Sequence, residues 1–300
     1  MKNRIMIILT MIVWSTTGVF SRKVTLPSYQ ITFFRYLIAL SFMFLVFKIQ
    51  RRKLNFSKIR PDIKILIISG AALALNSMML IESYKYTTIS KATVCYYVAP
   101  VIVTVLSKIF FKEHIGLKKI ICLIITFAGI ILTAYSKSAA TESNPMLGIG
   151  CALLAAVFYA IVTVGSKSVK SISGIDLTVV QFLIGFLTAS IYAAFSGGIS
   201  MSALDFENVF NLFIIGIVYT GLAFLVYFSA IKNIPGHEAA LLSYTEPASA
   251  VFISYFFLNE GISVPQVIGA VMVIGAMAAS ETDIKALTKH KVKEQKNDAL

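Results

Sequence analysis

The chain has 300 residues, 57% of them hydrophobic and only 14% charged, with a mean hydropathy of +0.82. That balance excludes an ordinary soluble domain and points to an integral membrane protein. The net charge of +13, from 27 Lys and Arg against 14 Asp and Glu, lies between and beyond the apolar runs rather than on one soluble face, which argues against a nucleic-acid partner.

Apolar runs of about twenty residues, enough to cross a bilayer core, predict ten spans. They fall at 5–21, 28–48, 63–84, 91–111, 117–136, 146–166, 176–196, 209–230, 238–258 and 264–280. The first follows Met1-Lys2-Asn3-Arg4 but has no small-x-small cleavage site before Arg22-Lys23, so it reads as a retained helix rather than a signal peptide. Ten spans put both termini on one side. Lys2, Arg4, the basic loop 48–64, Lys108 to Lys119, Lys167, Lys170, Lys232 and the tail share that side, against Arg22, Lys23, Lys85, Lys91 and Lys137 on the other. Cytoplasmic termini are therefore expected.

Residues 96–133 recur, altered, at 243–280. With an offset of 147, Tyr97 falls on Tyr244, Pro100 on Pro247, Ser107 on Ser254, Phe110 on Phe257, Glu113 on Glu260 and Ile121 on Ile268. The chain is thus two five-helix halves, 5–138 and 146–282, joined by a short polar stretch and followed by a charged tail, 283–300. An odd number of spans per half makes the second copy start on the opposite side, so the fold class expected is an all-α membrane protein of ten transmembrane helices in two inverted five-helix repeats.

In chain order, the first span offers Thr10, Trp14, Thr17 and Ser21 at helical spacing, answered in the sixth by Ala155, Tyr159, Val162 and Ser166. The second carries Arg35, matched by Gln181; a long basic side chain there either serves a path or snorkels outward. The third presents Asn76 and Ser83, with Glu82 near its outer end, and the eighth presents Tyr219, Thr220 and Tyr227.

Pro100 and Pro247 sit near the middle of the fourth and ninth spans, where proline withholds an N–H from the carbonyls of Tyr96 and Ser243. A single such kink is ordinary packing, but a matched pair points to a site at the repeat interface. Thr93, Tyr97, Pro100, Thr104 and Ser107 share one face of the fourth span; Ser243, Glu246, Ala250 and Ser254 share one of the ninth, with Tyr244 at the break. Glu246 is the acid placed deepest in the membrane, and a brace or gate is favoured for it over a proton site because its counterpart is Ala99. Glu113 and Glu260 read as corners whose carboxylates meet the N–H groups of the next helix.

Catalytic motifs are lacking, the three histidines stand far apart, and Cys95, Cys122 and Cys151 have neither CxxC spacing nor a nearby histidine. No cofactor and no metal are expected.

The Tyr-x-x-Pro followed thirteen residues later by Glu in both halves, the Thr245-Glu246-Pro247 triplet and Phe33-Phe34-Arg35 in the second span resemble the EamA type of the drug/metabolite transporter superfamily. The resemblance covers about residues 5 to 280. It implies a permease of the bacterial cytoplasmic membrane, expected to export an amino acid, related metabolite or drug through a cavity between the halves. The first half departs from the acid-proline pair with Ala99-Pro100. The partners expected are a small-molecule substrate and the lipid bilayer, with a homodimer as an open alternative. A membrane-embedded enzyme and a receptor or scaffold are the rival readings.

Overall fold

In a computed structural model, described over residues 2–21, 23–51, 54–87, 89–133, 143–201, 204–249 and 264–281, helix occupies part of each of the ten apolar runs, and no strand occurs among these residues. The first half contains α1 (Lys2–Ser15), α2 (Thr17–Ser21), α3 (Ser28–Ile49), α4 (Phe56–Ile59), α5 (Ile63–Tyr86), α6 (Ile89–Tyr96), α7 (Ala99–Phe111) and α8 (Leu117–Thr133). The second contains α9 (Pro145–Ser168), α10 (Ile175–Phe195), α11 (Phe206–Ile214), a π-helical segment (Ile215–Leu222), α12 (Ala223–Ile231), α13 (Gly236–Ser243) and α14 (Val264–Glu281). Helix also resumes over 245–249.

Six stretches are long and apolar enough to cross a bilayer: Ser28–Ile49, Ser57–Tyr86, Val94–Phe111, Pro145–Ser168, Ile175–Phe195 and Phe206–Ile231. The chain is a multi-pass membrane protein. Ala250, Ser254, Phe257, Glu260, most of the 138–145 linker and the 283–300 tail lie outside the described residues.

Local chemistry sets several helix starts. The Asn144 side chain accepts from Leu147 N–H at 3.2 Å with Pro145 in the first turn, and Asp205 accepts from Asn208 N–H at 2.8 Å to open α11.

The two halves interleave. α5 packs on α9 and α10, α3 on α10 and the π segment, α1 on α12 and α13, and α7 on α9 and α13. Their shared core draws Ile7, Met11, Tyr36, Met43, Leu66 and Leu73 from one half and Phe182, Tyr227 and Phe228 from the other. Contact between α5 and α9 is close enough that a Cβ on Gly165 would stand 2.8 Å from Ser69 Cβ, so only glycine fits. At one end of this layer Asp62 accepts from the N–H groups of Lys170 and Ser171, each at 2.8 Å, and Lys232 Nζ donates to the Ile172 carbonyl.

The fifth and tenth runs, poor in polar side chains, read as peripheral, and their helices α8 and α14 pack mainly on each other. A Cβ on Gly129 would meet the Gly269 carbonyl at 2.8 Å, while Ile124, Ile131, Val271 and Ile274 face outward.

Candidate functional site

Helix breaks, rather than helix faces alone, organise the polar interior. α6 stops at Tyr96, Tyr97 and Val98 form a turn, and α7 restarts at Ala99 with Pro100 in its first turn. α13 likewise stops at Ser243, Tyr244 is the turn residue, and helix resumes at 245 with Pro247 buried. Proline suits a first turn because the N–H it lacks would be unpaired there anyway.

The break differs in one respect from the expected kink at the carbonyls of Tyr96 and Ser243. Val101 N–H bonds to Val98 O at 3.0 Å instead of reaching back to Tyr97, so the Tyr97 carbonyl is also released. That carbonyl accepts the Tyr244 hydroxyl at 3.1 Å, and the two rings lie 6.2 Å apart.

Around this crossing the candidate residues converge. Asn76 Nδ2 donates to the Ala155 carbonyl at 2.8 Å and to the Tyr96 hydroxyl at 3.4 Å. The Tyr96 and Tyr159 rings meet edge-on at 5.9 Å. The Tyr159 hydroxyl then lies 3.1 Å from Ser243 Oγ and 3.3 Å from the Tyr227 hydroxyl, which is 3.0 Å from Thr163 Oγ1. Trp14 closes the row, 5.4 Å from the Tyr227 ring, with its indole N–H donating to the Tyr219 carbonyl at 2.9 Å. Glu246, one turn after Ser243, lies within electrostatic reach of Tyr96, Tyr97 and Tyr159. No ion pair reaches it among the described residues.

Trp14, Asn76, Tyr97, Tyr159, Tyr227, Ser243, Tyr244 and Glu246 are therefore linked through one aromatic, hydroxyl-rich cluster, with Pro100 and Pro247 at the two breaks beside it. Ser83 is not part of it; its hydroxyl folds back to the Leu80 carbonyl at 2.7 Å. Glu82 is a surface brace, accepting from Ser28 at 2.6 Å and Lys85 at 2.7 Å. Gln181 donates to Ser69 Oγ at 2.7 Å and Ser166 Oγ at 3.3 Å, within the contact of α5, α9 and α10.

Tyr96 and Thr163 escaped sequence reasoning. Thr163 follows Tyr159 by four residues on the same face of the unbroken α9, so register alone points to it, whereas Tyr96 reaches the site because the break at Tyr97 lets two successive tyrosines point into it. A second pair of distortions had no proline to announce it. The first run breaks at Thr16, whose hydroxyl lies 2.7 Å from that of Tyr219, and Tyr219 belongs to the π segment of the eighth run. There a Cβ on Gly216 would stand 2.6 Å from Ile38 Cγ2, so α3 approaches the widened turn directly.

A charged layer caps the end that carries the N-terminus. Arg4 at the start of α1 donates twice to Glu238 of α13, at 2.7 and 3.1 Å, and Lys119 of α8 joins the same carboxylate at 3.3 Å. Lys167 at the end of α9 donates to Glu113 at 2.6 Å and to the Ile234 carbonyl at 2.9 Å. His237 stands between them, Nδ1 on Glu113 at 2.6 Å and Nε2 on Lys119, which fits the tautomer with its proton on Nδ1.

Glu113 also accepts from the backbone N–H groups of Gly236 and His237 at 2.9 and 3.3 Å. The expected corner carboxylate does meet a helix N-terminus, but that of α13 in the other half rather than its own α8. Burial alone raises the Glu113 carboxyl, yet hydrogen bonds from Lys167, Gly236 N–H and His237, with the charge of Lys167, outweigh it and bring it from 4.5 to about 2.

A family model described as "EamA-like transporter family" matches residues 1–135 and again 146–280. The uncharacterized transporter YxxF of Bacillus subtilis (strain 168) is 25% identical over 276 residues, 91% of this chain and 88% of its own length. An uncharacterized transporter of Clostridium kluyveri is 26% identical over 303 residues, covering 97% of each chain. A solved crystal structure, 16% identical, superposes with a TM-score of 0.78 over 93% of this chain and 97% of its own, which supports the same fold. Matched once in each half, this polytopic membrane chain belongs to the EamA-like transporter family.

Proposed function

We propose that the chain is a secondary transporter that moves a small organic solute by alternating access, with its ten spans arranged as two inverted five-helix repeats. The observation that carries this reading is the Tyr244 to Tyr97 bond, which couples the breaks of the two halves in the middle of the aromatic cluster. Broken helices at a repeat interface are where transporters seat their solute, because released backbone groups and side-chain hydroxyls replace its water shell.

The path runs past Trp14, Asn76, Tyr97, Tyr159, Tyr227, Ser243 and Glu246. The charged layer from Arg4 to Lys167 ties α1, α8, α9 and α13 together and closes one end, so it must open for access from that side. The membrane is the bacterial cytoplasmic membrane, with both termini cytoplasmic and export as the working direction.

Reconstitution tests the reading. Purified protein in proteoliposomes is expected to give saturable flux of a solute that also raises its thermal stability in detergent, since a ligand binding only the folded state stabilises it. Chemical turnover of that solute without flux supports an enzyme instead, and binding with neither supports a receptor.

A further inference from the structure

Arg35 lies in α3, within a span, yet its side chain turns into the bundle instead of outward to the interface. Nε donates to Thr220 Oγ1 at 3.0 Å, Nη1 donates to Ser77 Oγ at 3.3 Å, and Cζ stands 5.7 Å from the centre of the Tyr36 ring. Both hydrogen-bond partners are uncharged, and no carboxylate pairs with Arg35 among the described residues. A guanidinium has five N–H donors, and these bonds occupy two.

The partners are themselves fixed. Thr220 Oγ1 donates to the Ile215 carbonyl at 2.8 Å, across the π turn, and Ser77 Oγ donates to the Leu73 carbonyl at 3.3 Å. Each hydroxyl therefore spends its proton on the backbone and turns a lone pair to the guanidinium. The π turn sets Thr220 at that position. Tyr96, bonded by Asn76 next to Ser77, lies within electrostatic reach of Arg35 and also of Glu246. Arg35 thus adjoins the aromatic cluster through Ser77 and the neighbouring Asn76–Tyr96 pair.

Hydroxyls orient a cation but do not neutralise it, and a cation left so inside a membrane protein marks a path for something of opposite charge. The planar fork of a guanidinium matches the two oxygens of a carboxylate. We propose that Arg35 docks a carboxylate of the transported solute through its unused N–H donors, held in position by Thr220 and Ser77. The assignment rests on the transporter reading and adds the chemical class of the solute.

The test uses the full wild-type chain. Phenylglyoxal, which modifies guanidines reached by water, is applied with acetate, succinate or N-acetylphenylalanine, or with the neutral amide of each, and labelling of Arg35 is read by peptide mass spectrometry. At least one acid is expected to slow labelling several-fold while its amide does not. Its protein-dependent flux in proteoliposomes is expected to exceed that of the amide at least about tenfold, because a site built to hydrogen-bond a group rejects the analogue lacking it. Arg35→Gln removes that preference and Arg35→Lys keeps part of it.

Failure of phenylglyoxal to reach Arg35, or equal protection by acids and amides, overturns the assignment, and the wild-type labelling holds even where a variant fails to fold. Saturable flux without preference for acids leaves the transporter reading standing and removes the Arg35 subsite. Protection by an acid with no flux of any probe leaves an anion site and counts against transport.

Discussion

The Tyr244 hydroxyl donates to the Tyr97 carbonyl across 3.1 Å, so the turn residue of one half fills the backbone gap of the other. These two tyrosines occupy equivalent positions, 147 residues apart, yet only one of the two possible bonds forms. The rocking of the halves proposed above would stretch or break it.

Tyr244→Phe removes this donor while keeping the ring against Tyr97. A buried carbonyl left without its partner costs about 1–3 kcal/mol, so a lower unfolding temperature in detergent is expected. Flux should change with it under the proposed alternating access, in which the two halves part at this bond. Unaltered stability and unaltered flux together would remove the crossing from the account of gating.

Glu113 carries a pH prediction. Its carboxyl titrates at about 2 in the folded chain against 4.5 unperturbed, so its contribution to stability is fully present above 4.5 and is lost as pH falls from there toward 2. Between about pH 5 and about pH 3 the unfolding temperature should fall more steeply for the wild type than for Glu113→Gln, which has no carboxyl to protonate. Parallel curves would mean that the bonds from Lys167, Gly236 and His237 add nothing to folding.

Much of this architecture was legible because hydropathy and repetition are one-dimensional signals. The offset of 147 made Tyr97 equivalent to Tyr244 and Pro100 to Pro247, and the two tyrosines do meet. What stayed hidden depends on partners distant in sequence. Nothing around Glu113 in the sequence names Gly236 and His237 as its donors, and nothing in Thr220 or Ser77 indicates that Arg35 turns inward. The π segment was equally silent, since Ile215–Leu222 reads as an ordinary apolar helix until the close approach of Ile38 to Gly216 is seen.

Topology is open to a direct test. The Lys and Arg asymmetry expects reporters fused after Thr288 and within residues 197–202 to report opposite compartments, the first cytoplasmic. The same compartment for both would rule out the ten-span arrangement.

Glu246 decides how the two breaks are joined. The Tyr97 phenol lies within its electrostatic reach, so the second break brings a carboxyl near a side chain of the first, while Tyr244 serves the first break's backbone. A brace of this kind is a pairwise property, and a double-mutant cycle isolates it: Glu246→Gln, Tyr97→Phe and both together, each followed by thermal unfolding and flux. Each single change should destabilise, and the double variant should lose less than the sum, with a coupling of about 0.5–3 kcal/mol, as for coupled neighbours. Flux that keeps its response to an imposed pH gradient in Glu246→Gln agrees with the brace. Strictly additive losses, with the pH response abolished in Glu246→Gln alone, would instead assign the carboxyl to carrying a proton through the cycle, because the charge would then matter to transport and its nearness to Tyr97 would not.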